Sequence, residues 1–265
     1  MEDREARRHR LSQAILAEQD IWQEIMSLAG EQVLDVYLDI KSPHAYIAVR
    51  PTLQVARDYR VKLNILPYTL SYTALGVTTS VEADMQRRPA SDAADRKARM
   101  YYAAARQYTE LQQLPFRSPQ RLLDSEVANR AVLFAKQQAL EVPFLMHIYV
   151  AGWGNGWRDY EPESVSQLRQ TLVDIGGDPA GFEDYVADGG AGQHALTRCM
   201  AAADQAGFAG VPHYVFTDAE SQRPLGLFGR EHLALIRARY HAAGLARNNR
   251  VQPDFSHAWV PDPAI

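Results

Sequence analysis

The chain carries one cysteine, Cys199, in 265 residues. A single thiol excludes an intramolecular disulfide framework and suits a reducing compartment. No stretch approaches the roughly 18 consecutive apolar residues that a membrane span needs. Neither sign of charge dominates: 28 Lys and Arg stand against 32 Asp and Glu, a net charge of -4. That balance leaves no electrostatic case for nucleic acid or an anionic membrane as partner. Residues 1–32 lack the apolar core and small-residue cleavage site of a secretory signal, so a cytoplasmic location is expected. Internal repeats are absent, and no cysteine or carboxylate spacing supports a metal site.

With 46% apolar and 23% charged residues, the chain can bury a large core. That length suits one unit with an insertion as well as two domains. Residues 8–28 read as a charged helical pattern with Leu11, Ile15, Trp22, Ile25 and Met26 along one side, a stripe expected to pack on its own domain. The runs Val33-Leu34-Asp35-Val36-Tyr37-Leu38 and Val61-Lys62-Leu63-Asn64-Ile65-Leu66 read as strands. A helix opened by Ser42 lies between them and is expected to kink or end near Val49 or Arg50, ahead of Pro51. Residues 70 to about 190 read as helical, with starts at Ser118-Pro119 and at Ser164, and a stop at Gly176-Gly177. A helix over 192–206, a hairpin of 210–216 with 225–228, and a helix over Arg230–Tyr240 follow. The order βαβ, helical block, αββα is that of an α/β, thioredoxin-like fold with a large helical insertion. The division expected is an N-terminal helical extension over 1–32, a thioredoxin-like domain over 33–69 and 191–240, an inserted helical domain over 70–190 and an irregular C-terminal tail over 241–265.

Residues 39–48, Asp-Ile-Lys-Ser-Pro-His-Ala-Tyr-Ile-Ala, carry the most information about chemistry. The segment resembles the redox-motif turn of DsbA-type thiol oxidoreductases, with Ser42 and Ala45 where those proteins have the cysteines of Cys-Pro-His-Cys. Dithiol exchange needs an attacking thiolate, and Ser42 cannot supply one. Any thiol chemistry must therefore use a borrowed thiol. Tyr37 to Tyr46 also resembles the Asp-Phe-x-Ser-Pro-Tyr-Ser-Tyr region of 2-hydroxychromene-2-carboxylate isomerases and kappa-class glutathione transferases. Gly207-Phe208-Ala209-Gly210-Val211-Pro212 is similar to their Gly-Val-Phe-Gly-Val-Pro, and Leu227-Phe228-Gly229-Arg230-Glu231-His232-Leu233 to their Phe-Gly-Gln-Asp-Arg-Leu. Pro115-Phe116-Arg117-Ser118, Trp153 and Arg158-Asp159 match further segments, so the likeness spans roughly 33–240.

The resemblance implies glutathione as cofactor, with the Ser42 hydroxyl on its sulfur and Val211, ahead of a cis Pro212, pairing with its peptide backbone. Glu231 stands where the family has Asp for the glutathione α-amino group, and Arg230 replaces a small or amide residue beside it. His44 and His213 flank these positions and are expected near Ser42, His44 as a proton-transferring catalytic group beside Ser42. The resemblance implies glutathione, a small substrate that is aromatic in the isomerases, and a second copy of the chain as partners. Residue by residue, plainer readings stand beside these. Ser before Pro is an ordinary helix cap, a Glu at a helix start is favoured by the dipole, and Pro212 can simply open a strand. Cys199 reads as an inert small hydrophobe, while Trp153, Trp157 and Tyr160 read as core aromatics or the wall of a pocket. The function expected is a glutathione-dependent isomerase or transferase, isomerase preferred. The alternatives are a cysteine-less binding module and a glutathione transferase or peroxidase. The chain lacks the family's Lys/Asn-rich segment after the second strand, having Leu66-Pro67-Tyr68-Thr69-Leu70 there, so the resemblance does not carry the aromatic-acid substrate over to this chain.

Overall fold

The computed structural model describes residues 3–218 and 221–258. A four-stranded sheet runs in the order β2-β1-β3-β4. Its strands are β1 (Gln32–Leu38), β2 (Val61–Pro67), β3 (His213–Thr217) and β4 (Pro224–Phe228). β1 and β2 pair in parallel, while β3 lies antiparallel to both β1 and β4. Leu34, Val36, Leu63, Ile65, Tyr214 and Phe216 are buried at alternate positions of these strands, the period of two that a covered sheet face demands.

The crossover between β1 and β2 is two helices, α3 (Pro43–Tyr46) and α4 (Val49–Asp58), with a break at Ile47 and Ala48. Pro51 explains the break: it has no N–H to give and is tolerated in the first turn of a new helix, where it now sits. The helix opened by Ser42 is therefore a single turn. At the N-terminus, α1 (Arg4–Leu16) and α2 (Gln19–Ser27) are separated at Ala17 and Glu18. Ile15, Trp22 and Ile25 turn inward, and Glu18 takes a short ion pair from Arg50, buried on α4. The apolar stripe is spent on the chain's own core.

The region 70–190 departs from an all-helical block. Residues 70–91 hold only turns and bends, because Gly76, the Thr78-Thr79 pair and Pro89 interrupt any helix. Helices follow at α5 (Asp92–Leu111), α6 (Glu126–Lys136), α7 (Glu141–Asn155), α8 (Val165–Asp174) and α9 (Phe182–Val186). Ser118-Pro119 starts no helix; α6 begins eight residues later, after Ser125, where its face Ala128, Ala131, Val132 and Ala135 meets the core. Ser164 does cap α8, its Oγ accepting from Gln167 N at 3.4 Å, and Gly176-Gly177 lies just past its end. Trp153 and Trp157 are core, packed edge to face at 5.4 Å. α10 (Ala191–Gln205) leads into the hairpin, and α11 (Leu233–Ala242) closes the unit. Cys199, on α10, is half-buried, and burial pushes its thiol up, away from the reactive thiolate. Beyond α11, the described residues 243–258 form no helix or strand apart from an isolated bridge between Ala246 and Tyr59, and Phe255 packs on the core; the expected tail's residues 259–265 lie outside the described part.

Among the described residues no helix is long and apolar enough to cross a membrane, and no group of three or more His, Cys, Asp and Glu gathers to hold a metal ion.

Candidate active site

Strand register gathers the site residues at one end of the sheet. Leu38 pairs with Pro67, Tyr37 with His213, and His213 with Phe228. Four connections therefore leave the sheet side by side: 39–42, 67–70, 211–212 and 229–231. The carboxyl ends of parallel strands at such a reversal of strand order are where open sheets bind ligands.

Asp39 holds this end together. Its side chain is fully buried. One carboxyl oxygen accepts from Leu70 N at 2.7 Å; the other accepts from Lys41 N at 3.3 Å and Asn129 Nδ2 at 3.2 Å. Its main-chain oxygen accepts from Tyr149 Oη at 3.1 Å. Ser42 comes next, buried, in extended backbone, with Oγ accepting from Ala45 N at 3.2 Å. A hydroxyl that accepts still has its own proton to donate, so the capping role and a donor role toward a ligand coexist. With only one helical turn behind Ser42, the dipole contributes less than a full helix would. The buried Lys41 side chain adds positive charge nearby, its ammonium 4.6 Å from the centroid of Tyr72.

The Val211–Pro212 peptide bond is cis. Gly229 N donates to Pro212 O at 3.0 Å, tying the two loops together. The main chain of Val211 makes no hydrogen bond among the described residues, so its edge is open to an added strand.

His44 lies within electrostatic reach of Arg230 and Glu231. Burial, then the Arg230 charge, depress the His44 pKa against a backbone hydrogen bond at Tyr101 and the charge of Glu231. The His44 ring stands edge-on to Tyr101 at 5.8 Å. Arg230 is 6% exposed, lies 3.8 Å over the Tyr108 ring, and has Nε and Nη1 buried without a partner. Burial works against its charge, while Tyr108, Tyr214 and Glu231 favour it. Glu231 sits in a 3-10 turn (Arg230–His232) ahead of α11 rather than at that helix's start. Its carboxylate folds over Gly229, where φ is +115° and a Cβ would meet it at 2.5 Å.

His213 is a correction. Its backbone is at the site, but its ring packs on Tyr37 at 6.2 Å and Phe208 at 5.4 Å, with both nitrogens buried and unpartnered. Alternation along β3 explains it: Tyr214, which shares a 3.0 Å hydrogen bond with Thr52 on α4, points to the opposite face.

The sequence reading missed Tyr101, Tyr108 and His257. The two tyrosines are seven residues apart and share one side of α5, a spacing that was visible but unassigned. His257 reaches Tyr108 at 4.8 Å because Arg237 holds the tail, donating to Asp254 O at 2.6 Å and Gln252 O at 2.8 Å. No periodicity announces that contact. Two cavities, of about 420 and 740 Å³, lie away from Ser42 and Val211.

Residues 33–241 match the family model of the DSBA-like thioredoxin domain. The chain belongs to that family. Among solved structures it is similar to a 2-hydroxychromene-2-carboxylate isomerase, at 18% identity and a TM-score of 0.58 over 80% of this chain and 96% of that one. A probable DsbA oxidoreductase from Streptomyces coelicolor aligns at 14% identity and a TM-score of 0.60, covering 84% and 94%. The cytosolic disulfide reductase DsbM from Pseudomonas aeruginosa, solved with GSH, aligns at 16% and 0.53, covering 80% and 97%. Likeness at these identities establishes the shared fold. No curated protein matches the chain.

Proposed function

We propose that this DsbA-family protein is a glutathione-dependent isomerase or transferase of the hydroxychromene-carboxylate isomerase type, working in the cytoplasm on a small substrate. The observation that carries the reading is a donor hydroxyl without a protein thiol, Ser42, at the same sheet end as the open main chain of Val211. The residues present fit glutathione. Val211 offers a peptide edge, Glu231 a carboxylate for an α-amino group, and Arg230 two buried donors with no partner in the protein. When bound, glutathione supplies a nucleophilic sulfur able to add to an unsaturated carbon and leave again. The chain's own work is to keep that sulfur ionised, to orient it, and to move protons at His44 Nε2, which is buried and unpartnered.

A free thiol titrates near 8.5, and lowering it by two units requires about 2.7 kcal/mol. A hydrogen bond from Ser42 to the thiolate, about 1.5–3 kcal/mol, supplies most of that. Replacing Ser42 by Ala is therefore expected to raise the bound thiol's pKa by about one to two units, with a smaller loss of glutathione affinity. Ultraviolet thiolate absorbance across a pH series, alongside calorimetric titration, measures both. An unchanged thiolate spectrum and turnover in Ser42→Ala would reduce Ser42 to a helix cap. A second reading, a peptide-binding module, rests on the open Val211 edge and predicts no glutathione binding at all.

A further inference from the structure

Four guanidinium groups surround a cavity that the proposed chemistry leaves unused. Its volume is about 420 Å³, within the range of small-molecule sites. Arg87, Arg99, Arg106 and Arg121 line it, with Tyr102 and Ala103 among the residues between them. At 100° per residue, Arg99, Tyr102, Ala103 and Arg106 share one flank of α5, turned away from Tyr101 and Tyr108, which face the Ser42 end.

Partners for these charges are too few. Asp95 serves both Arg87 and Arg99, and Glu163 takes both ends of Arg121 at 2.8 and 2.9 Å. Two carboxylates thus bond to four guanidiniums, with Glu161 acting on Arg121 through its charge alone, in a protein whose net charge is -4. The surplus is local. Arg87 Nη1 is buried with no acceptor, and Arg106 has only a 3.4 Å contact to Ser118 Oγ. A buried donor without an acceptor is costly unless something fills the role. The backbone holds Arg87 in place: Leu122 N donates to Met85 O at 2.6 Å, and Met85 takes a positive φ of 52°, uncommon for a residue with a side chain.

We propose that this cavity is a binding site for a small organic phosphate, its dianionic head on Arg87 and Arg106 and its organic part against Tyr102 and the small Ala98 and Ala103. Guanidiniums suit phosphate because their planar donors match its oxygens two at a time, and a local surplus of positive charge favours a dianion over a monoanion.

Phenyl phosphate is the probe, titrated calorimetrically into the full chain at low ionic strength, with benzoate as the monoanionic comparison. Phenyl phosphate is expected to bind at least about tenfold tighter than benzoate, and Arg87→Gln and Arg106→Gln each to weaken it about tenfold, the loss of one charge-assisted bond. Ala103→Glu, at an exposed helical position, adds a repulsive charge without touching the core and is expected to abolish binding. Ser42→Ala is expected to leave phenyl phosphate binding unchanged. No binding at millimolar probe, equal binding by the arginine variants or by Ala103→Glu, or dependence on Ser42 would each overturn the proposal; the last would place the ligand at the other site.

Discussion

Asp39 and Arg230 are both buried charged side chains at the same end of the sheet, and they are treated oppositely. Asp39 receives three donors from three segments, Leu70, Lys41 and Asn129, and so staples the loops after β1 and β2 to α6. Arg230 has a tyrosine face beneath it, yet Nε and Nη1 meet nothing. Burying a charge is tolerable when its hydrogen bonds are complete and expensive when they are not. The first group therefore serves the fold. The second carries unmet donors at a cost in stability, the donors that the proposed function assigns to glutathione.

The largest effect expected is at Asp39. Asp39→Ala strands the Leu70 and Lys41 N–H donors, each worth about 1–3 kcal/mol, while Asn129 Nδ2 keeps Thr69 Oγ1 at 2.9 Å, for a total loss on the order of 4 kcal/mol. Asp39→Asn keeps one acceptor oxygen and should lose about half as much. Urea denaturation, with the slope monitored for two-state behaviour, measures both. If Asp39→Ala costs less than about 1 kcal/mol while glutathione binding collapses, Asp39 belongs with Arg230 rather than opposite it.

The counterpart is Arg230→Met, which keeps length and packing on Tyr108 but removes the unpartnered donors. Replacing an incompletely satisfied buried charge by an apolar side chain of similar shape is neutral or stabilising. A gain of zero to about 1 kcal/mol is expected, together with glutathione affinity lower by tenfold or more. A variant that is both less stable and fully able to bind would break the comparison.

How much of this was legible beforehand depends on the range of the interaction. The strands, the Ser42 turn and the Val211–Pro212 segment are spelled out locally, in apolar runs and short motifs, and they stood where expected. Errors came where one local signal was read without its tertiary context. Ser118-Pro119 has the form of a helix start, but its segment wraps a cavity, and the core face of α6 sets the true start at Glu126. The alternation that places His213 on a strand also turns its ring away from His44. The meeting of Tyr108 with His257 spans about 150 residues of sequence and a segment without periodicity, so no pattern in the chain could have disclosed it.

The smallest effect is the one that tests what an unpartnered group means. His213 is as orphaned as Arg230, both ring nitrogens being buried without partners, yet its neighbours are uncharged: the rings of Tyr37 and Phe208 and the backbone of Gly226. Burial alone lowers its pKa. Such a histidine is neutral in the fold, whereas the unfolded chain binds a proton below about 6.5. The unfolded state then carries more protons as pH falls through that value, so stability rises with pH below it and is flat above. His44, His147 and His257, also depressed mainly by burial, share the same sign. His213→Phe is expected to leave turnover and glutathione affinity unchanged and to shallow the acid-side slope by at most about 1.4 kcal/mol per pH unit, one proton's worth. His44→Phe should shallow the slope as well, but with a large loss of turnover, because Arg230 and Glu231 stand beside it. Melting curves between pH 7 and 5, paired with turnover for both variants, separate the two. Turnover lost in His213→Phe would show that orphaned nitrogens mark function wherever they lie; turnover kept would confine that meaning to groups with charged neighbours.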